Sequence, residues 1–273
     1  MTIDGATALY GVVGYPIKHS LSPLFQNKAF EYFSLNAVYV PFEVKPEDFE
    51  VAFKGLKALG IKGVNITLPH KEKALGLADF VDIHARSIGS ANTLSFTEEG
   101  VYAYNTDWIG FLKAVKKLSP ELKGLKVLLL GAGGSSRAVL YALKGEGTKV
   151  FLWNRTFEKA HSLCQSFGCY VVKNLEEVIQ EADLIVNTTS VGLKDEDKPL
   201  FDYSLLRQEH RVMDLIYKET PLLKIAKEKG CAFQDGLDML LYQGIESFKI
   251  WAGLELPYEV VKEAVLKYYN LSK

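Results

Sequence analysis

The chain has no surplus of charge of either sign: 32 Lys and Arg stand against 33 Asp and Glu, a formal net charge of −1 over 273 residues. That balance removes the general electrostatic case for a nucleic-acid or anionic-membrane partner. No apolar run approaches the ~20 residues that a bilayer-spanning helix needs, so no membrane segment is expected. The opening stretch MTIDGATALYG has neither a basic n-region nor a long apolar h-region, which predicts no signal peptide. Cysteine is scarce. Cys164, Cys169 and Cys231 are an odd number with no CxxC pair; they suit a reducing cytoplasm and argue against a disulfide or zinc framework. The five histidines are scattered without HExxH spacing, and no metal is expected. Internal repeats and low-complexity segments are absent too.

In their place is a steady alternation of strand-like and helix-like segments. ALYGVVG, AVYVPFEV and KGVNITL read as strands. SPLFQNKAFEYF puts Phe25, Ala29 and Phe33 on one helical face, and PEDFEVAFKGLKALG reads as a helix opened by Pro46 and closed by Gly60. HKEKALGLAD is a further helix, and ANTLSFTEEGVYAYN reads as two strands joined by a Glu-Gly turn. Such alternation predicts an α/β chain with a mainly parallel sheet. The polar segment Ser119–Gly124 reads as a linker. Beyond it, KVLLLG, KVFLWN, ADLIVNTTS and RVMDLIY supply strands of a second α/β unit, and two helices close the chain.

The segment KVLLLGAGGSSRAVLYAL is a strand, a glycine turn and a helix, with Gly131, Gly133 and Gly134 in the turn. In G-x-G-x-x-G the third glycine is the sixth residue of the motif, five positions after the first, where this chain has Ser136. Glycines allow the sharp turn and the approach of a pyrophosphate to the helix N-terminus, so dinucleotide binding is expected over a purely structural turn. NAD enzymes place an acid at the end of the second strand to hold the ribose 2′-hydroxyl. This chain has Asn154, Arg155 and Thr156 there. A guanidinium between neutral hydrogen-bonding side chains receives a phosphate that a carboxylate repels, so NADP is the expected cofactor.

Four junctions of the first half also carry polar groups. Ser20, Ser22 and Pro23 precede a helix; Ser22 reads as its N-cap and Pro23 as its first residue, and the same helix end suits a carboxylate. Lys71 follows a strand holding Asn65 and Thr67, Asn92 begins another, and Asp107 ends a third. Ligands of open α/β sheets bind at strand carboxyl ends, and Lys71 with Asp107 has the chemistry of a proton donor and its orienting carboxylate. His19 and His70 adjoin these segments and read as supporting or solvent-facing.

SLSP, NITLPHK, ANTL, NTDWIGF, GAGGSSRA, NRT, NTTSVG and DG-DMLLYQ occur in this order from about Tyr10 to Gln243. In these motifs the chain resembles the shikimate dehydrogenase family. The resemblance implies reversible, NADPH-dependent reduction of 3-dehydroshikimate to shikimate, a step of chorismate and aromatic amino acid biosynthesis. It implies Lys71 and Asp107 as the catalytic pair. Ser20 and Ser22, with Tyr217, would hold the carboxylate, and Thr67, Asn92 and Gln243 the ring. The cofactor would lie along Gly131, Ala132, Gly133, Gly134, Ser135, Asn154, Arg155 and Thr156, with Thr188, Ser190, Met213 and Gly236 on its nicotinamide side. The segment YKETPLL is about two residues shorter than in many members, beside Tyr217.

The expected organisation is a substrate-binding and catalytic domain over 1–107, a connecting helix and linker over 108–123, a Rossmann-like NADP domain over 124–236, and C-terminal helices over 237–273 that return to the first domain. The expected setting is a cytoplasmic monomer or homodimer acting on a small molecule. Three other readings are kept: a quinate/shikimate dehydrogenase that also uses NAD, a silent dinucleotide-sensing module, and a reductase of another cyclic substrate. Asn154 argues against the first, retention of Lys71 and Asp107 against the second.

Overall fold

The structure, a computed structural model, describes residues 2–194 and 196–271. The chain forms two compact units, residues 1–106 with 241–273, and residues 107–240.

The first unit is built on strands β1 (Ala8–Gly14), β2 (Ala37–Glu43), β3 (Gly63–Ile66), β4 (Phe80–Val81), β5 (Thr93–Phe96) and β6 (Val101–Tyr104), in the order β2-β1-β3-β5-β6-β4. β1 pairs in parallel with β2 and β3, and β4 with β6, but β5 is antiparallel to both neighbours. The sheet is therefore mixed, because the short turn between β5 and β6 leaves no room for a crossover. Helices α1 (Ser22–Tyr32), α2 (Phe49–Ala58), α3 (Lys71–Leu77) and α4 (Ile83–Ile88) connect these strands. Phe49, Phe53, Ile66, Leu94 and Ala103 form one buried cluster of this unit.

Helix α1 starts one residue earlier than its sequence predicts. Leu21 is the N-cap and Ser22 the first helical residue, with no side-chain cap. The reason is local: the Ser20 hydroxyl accepts from the Ser22 N–H at 3.3 Å, taking over one of the donors a cap would satisfy.

The second unit holds β7 (Lys126–Leu130), β8 (Lys149–Trp153), β9 (Tyr170–Val171), β10 (Leu184–Asn187), β11 (Arg211–Asp214) and β12 (Ala232–Gln234), all parallel in the order β12-β11-β10-β7-β8-β9. Its helices are α5 (Asp107–Leu118), α6 (Gly134–Gly145), α7 (Phe157–Phe167), α8 (Leu175–Ile179) and α9 (Pro221–Glu228). This is the doubly wound order, with its switch point between β7 and β10. β7 and β10 read as near-continuous apolar runs because both of their faces are covered.

Helix α10 (Leu237–Ala252) carries the chain back to the first unit, and α11 (Tyr258–Leu271) follows it. Within that unit, Gln26 Nε2 donates to the Gly244 carbonyl at 2.9 Å and Trp251 Nε1 to the Leu94 carbonyl at 2.9 Å. Phe30 and Phe248 are fully buried with ring centroids 5.7 Å apart. Each such side chain contributes roughly 1.5–3 kcal/mol by burial, which holds the returning helix in the core.

The cysteine expectation is corrected. Cys164 and Cys169 form a disulfide, and Cys231 is buried and free. Gly168 ends α7 in the left-handed region (φ 70°) and turns the chain back, bringing the two Cα atoms to 4.5 Å. The spacing C-x4-C across a helix end with a glycine cap is the sequence signal for this bridge.

Candidate functional site

Polar groups of the first unit converge where β1, β3 and β6 end. β5 runs the opposite way, so its start, not its end, lies at that edge, and this delivers Asn92. Asn92 is 2% exposed and makes several side-chain hydrogen bonds. Its Nδ2 donates to Thr106 Oγ1 at 2.8 Å and to Gln243 Oε1 at 3.1 Å, and its Oδ1 accepts from the Thr106 N–H at 2.7 Å and from Thr93 Oγ1 at 3.0 Å. Gln243, on α10, is thus part of this cluster. One turn on, Ser247 donates to the Gln243 carbonyl at 3.0 Å, accepts from Asn65 Nδ2 at 2.9 Å and lies 2.8 Å from Thr93 Oγ1.

Asn65 extends the network to β2. Its Oδ1 accepts from the Tyr39 hydroxyl at 2.8 Å. Complete burial pushes the Tyr39 phenol well above its usual range, so it stays neutral and available as a donor. Ser20 and Thr67 are half-buried beside these groups in the chain.

Lys71 is the first residue of α3 and is 9% exposed. Its carbonyl accepts from the Ala91 N–H at 2.9 Å, which ties the start of α3 to the residue before Asn92. His70, just before it, is buried: Nε2 lies 2.7 Å from the Val44 carbonyl and the ring stacks on Phe49 at 4.3 Å. Burial holds the His70 imidazole below its ordinary pKa, so it serves as a neutral donor to Val44. His19 is exposed.

Asp107 is the first residue of α5, in the second unit, and is 5% exposed. It directly follows Thr106, whose N–H is fixed to Asn92.

In the second unit Gly131 follows β7 with φ +108°, a conformation side chains rarely adopt. A Cβ there would come within 2.7 Å of Thr188 Oγ1. Gly133 caps α6, which begins at Gly134 with Ser135 and Ser136 in its first turn and no acid among them. Ser136 occupies the slot of the missing third glycine. Its Oγ accepts from the Gly133 N–H at 3.1 Å and lies 2.6 Å from Thr188 Oγ1, which donates to the Leu130 carbonyl at 2.7 Å. Since the Thr188 proton is committed, Ser136 donates to Thr188, and this chain of hydroxyls closes the switch point. Ala132 lies in the same turn.

At the end of β8, Trp153, Asn154, Arg155 and Phe157 line a pocket of about 320 Å³ with Val172 and Lys173. Asn154 Nδ2 donates to the Thr156 carbonyl at 2.9 Å, and Thr156 is the N-cap of α7. The lining holds two cations and no carboxylate, so a phosphorylated ribose fits it and the glycine turn leaves α6 free to face a pyrophosphate.

Ser190 is exposed, Met213 is fully buried in β11, and the Gly236 N–H donates to the Ile216 carbonyl at 3.1 Å. Tyr217 is half-buried beside Ile216. The loops carrying these residues are tied by Asp214 and Asn187, which the sequence reading misses. Asp214 Oδ1 accepts from Asn187 Nδ2 at 3.1 Å and the Ile216 N–H at 3.0 Å, and Oδ2 from Thr220 Oγ1 at 2.9 Å. Asn187 Oδ1 in turn accepts from the Thr189 N–H at 2.9 Å. Tyr39, Thr106, Ser136 and Ser247 are also missed. Ser247 had a signal in its i+4 spacing from Gln243; Asp214 and Asn187 had one as polar residues ending apolar strands.

Three family models match the chain: the shikimate dehydrogenase substrate binding domain over residues 12–94, shikimate / quinate 5-dehydrogenase over 113–194, and the shikimate 5′-dehydrogenase C-terminal domain over 236–266. A shikimate dehydrogenase (NADP(+)) of Aquifex aeolicus is 57% identical over 96% of this chain and 98% of its own length. One from Pyrococcus furiosus is 44% identical over 99% and 100%. The Aquifex aeolicus crystal structure superposes with a TM-score of 0.95 at 57% identity, covering 97% of this chain and 99% of that one. That of Thermus thermophilus shikimate 5-dehydrogenase, in complex with NADP(H) and shikimate, does so at 0.88 and 39% identity over 96% and 99%.

Proposed function

The chain belongs to the shikimate dehydrogenase family and catalyses the reversible NADPH-dependent reduction of 3-dehydroshikimate to shikimate; on that premise we propose that Lys71 and Asp107 are its catalytic pair. The cofactor, when bound, supplies the hydride. Negative charge then builds on the ketone oxygen, and the Lys71 ammonium donates a proton to it. In the reverse direction Lys71 takes the proton from the hydroxyl, and Asp107 orients and balances the ammonium.

The observation that carries this reading is the position of Lys71, at the first turn of α3, with its own carbonyl bound next to the Asn92–Gln243–Ser247 cluster. A positioned donor is what the reaction needs, and Lys71, only 9% exposed, is not on a solvated helix face. Asn92 and Gln243, with Thr67, are read as partners of the ring hydroxyls. Ser20 and Ser22 are read as the carboxylate site, with Tyr217 as a further contact. Gly131 to Ser135 take the pyrophosphate and Asn154, Arg155 and Thr156 the 2′-phosphate, with Thr188, Ser190, Met213 and Gly236 toward the nicotinamide.

The expected division of labour follows: residues 1–107 bind substrate and 124–236 bind NADP. Reduction by NADPH requires its pool, which supports a cytoplasmic setting now that the cysteine argument no longer does. Monomer and homodimer are distinguished by sedimentation. The test of the catalytic assignment is Lys71→Ala. General acid help is worth typically about 10²–10⁴-fold, so kcat falls by that factor while the shikimate KM stays within a few-fold. A steep rise in KM with kcat intact would make Lys71 a binding residue only.

A further inference from the structure

We propose that Lys173 is a second specificity-determining cation for the 2′-phosphate of the cofactor, an inference that rests on the NADP-binding reading above. Register carries it. β8 and β9 pair in parallel with Leu152 opposite Val171, and the Val172 N–H donates to the Leu152 carbonyl at 2.8 Å. Two residues further along each strand stand Asn154 and Lys173. Within the sheet the two backbones run side by side, about one strand spacing (~4.8 Å) apart, and Asn154 and Lys173 stand one and two residues beyond their strand ends.

Both side chains line the same pocket as Arg155, with no carboxylate among its six lining residues. The Lys173 ammonium is held over the Phe157 ring, 4.9 Å from its centroid. That contact restrains a flexible side chain on the pocket wall without neutralising it. Phe157 is itself fixed at the start of α7, immediately after the Asn154–Arg155–Thr156 turn. The site thus offers a dianion one cation from each of two adjacent strand ends. A ribose with a free 2′-hydroxyl gains little from the second cation, so Lys173 acts in choosing the cofactor and not in the chemistry.

The test is calorimetric binding of 2′,5′-ADP and of 5′-AMP to the whole protein, which is independent of turnover. Lys173→Met keeps the length and the apolar stem and removes the charge. The dissociation constant for 2′,5′-ADP rises about tenfold, the scale of one charge-assisted contact at an exposed position. That for 5′-AMP stays within about twofold, and the salt dependence of 2′,5′-ADP binding becomes shallower. Phe157→Leu shows the same selectivity at a smaller size. Equal weakening of both nucleotides, or of neither, overturns the inference. Arg155→Ala separates the two levels of the argument. If it is selective for 2′,5′-ADP and Lys173→Met is not, Lys173 alone has been misassigned. If wild type does not favour 2′,5′-ADP over 5′-AMP, the 2′-phosphate reading itself fails and this inference with it.

Discussion

Replacing Asp214 by Asn removes a strongly perturbed acid that ties the loops following β10 and β11. Burial pushes the Asp214 carboxyl from 3.8 up to about 6, against the opposing pull of its bonds from Ile216, Asn187 and Thr220. It is fully buried, so solvent screening does not blunt the effect. Between these two values the folded protein binds more protons than the unfolded chain, and stability falls as pH rises. A displacement of about 2 units at 1.36 kcal/mol each is about 3 kcal/mol. This stability is fully present below pH ~4 and lost above pH ~6. The Asn side chain keeps an acceptor for the Ile216 N–H and does not titrate. Urea unfolding of both proteins from about pH 4 to about pH 7.5, at constant ionic strength, reads the difference directly. The stability of Asp214→Asn relative to wild type should climb by about 3 kcal/mol over that range. A difference that stays flat would show that Asp214 ionises like an exposed acid, and the tie between the two loops would need another explanation.

Asp107→Asn lowers kcat, and the Lys71→Ala/Asp107→Asn double variant loses less than the product of the single effects, because the pair acts as a unit; steady-state kinetics on all four proteins checks this. Gly131→Ala forces a side chain into a φ of +108° against Thr188, costing about 1–3 kcal/mol and weakening nucleotide binding in calorimetry. Ser247→Ala removes the hydroxyl that Asn65 Nδ2 donates to, with a loss of about 1–3 kcal/mol in urea unfolding.

The dinucleotide turn was legible in the sequence because one local rule governs it: an apolar strand, glycines where the backbone must bend, then a helix. Asn92, Lys71 and Asp107 were legible as polar residues at strand and helix junctions. What brings Gln243 to Asn92 was not, since it depends on α10 returning to the first unit some 151 residues away along the chain. Tyr39 was hidden for a similar reason. In its strand it reads as one more core aromatic, and only the pairing of β1 with both β2 and β3 brings its hydroxyl to Asn65. The reversal of β5 against β6 was legible locally in the Glu-Gly turn between them, but its antiparallel pairing with β3 was not. The disulfide was missed because the compartment argument considered the count of cysteines and not the αL glycine between two of them.

The most direct measurement is a set of initial rates, followed by nicotinamide absorbance, for the purified protein with shikimate or quinate, each with NADP or NAD. Shikimate with NADP should give the highest kcat/KM by a wide margin, and Arg155→Ala should lower it by about 10–150-fold, equivalent to about 1.5–3 kcal/mol, while barely changing the NAD reaction. Equal use of NAD and NADP by the wild type, or turnover of quinate in preference to shikimate, would contradict the account.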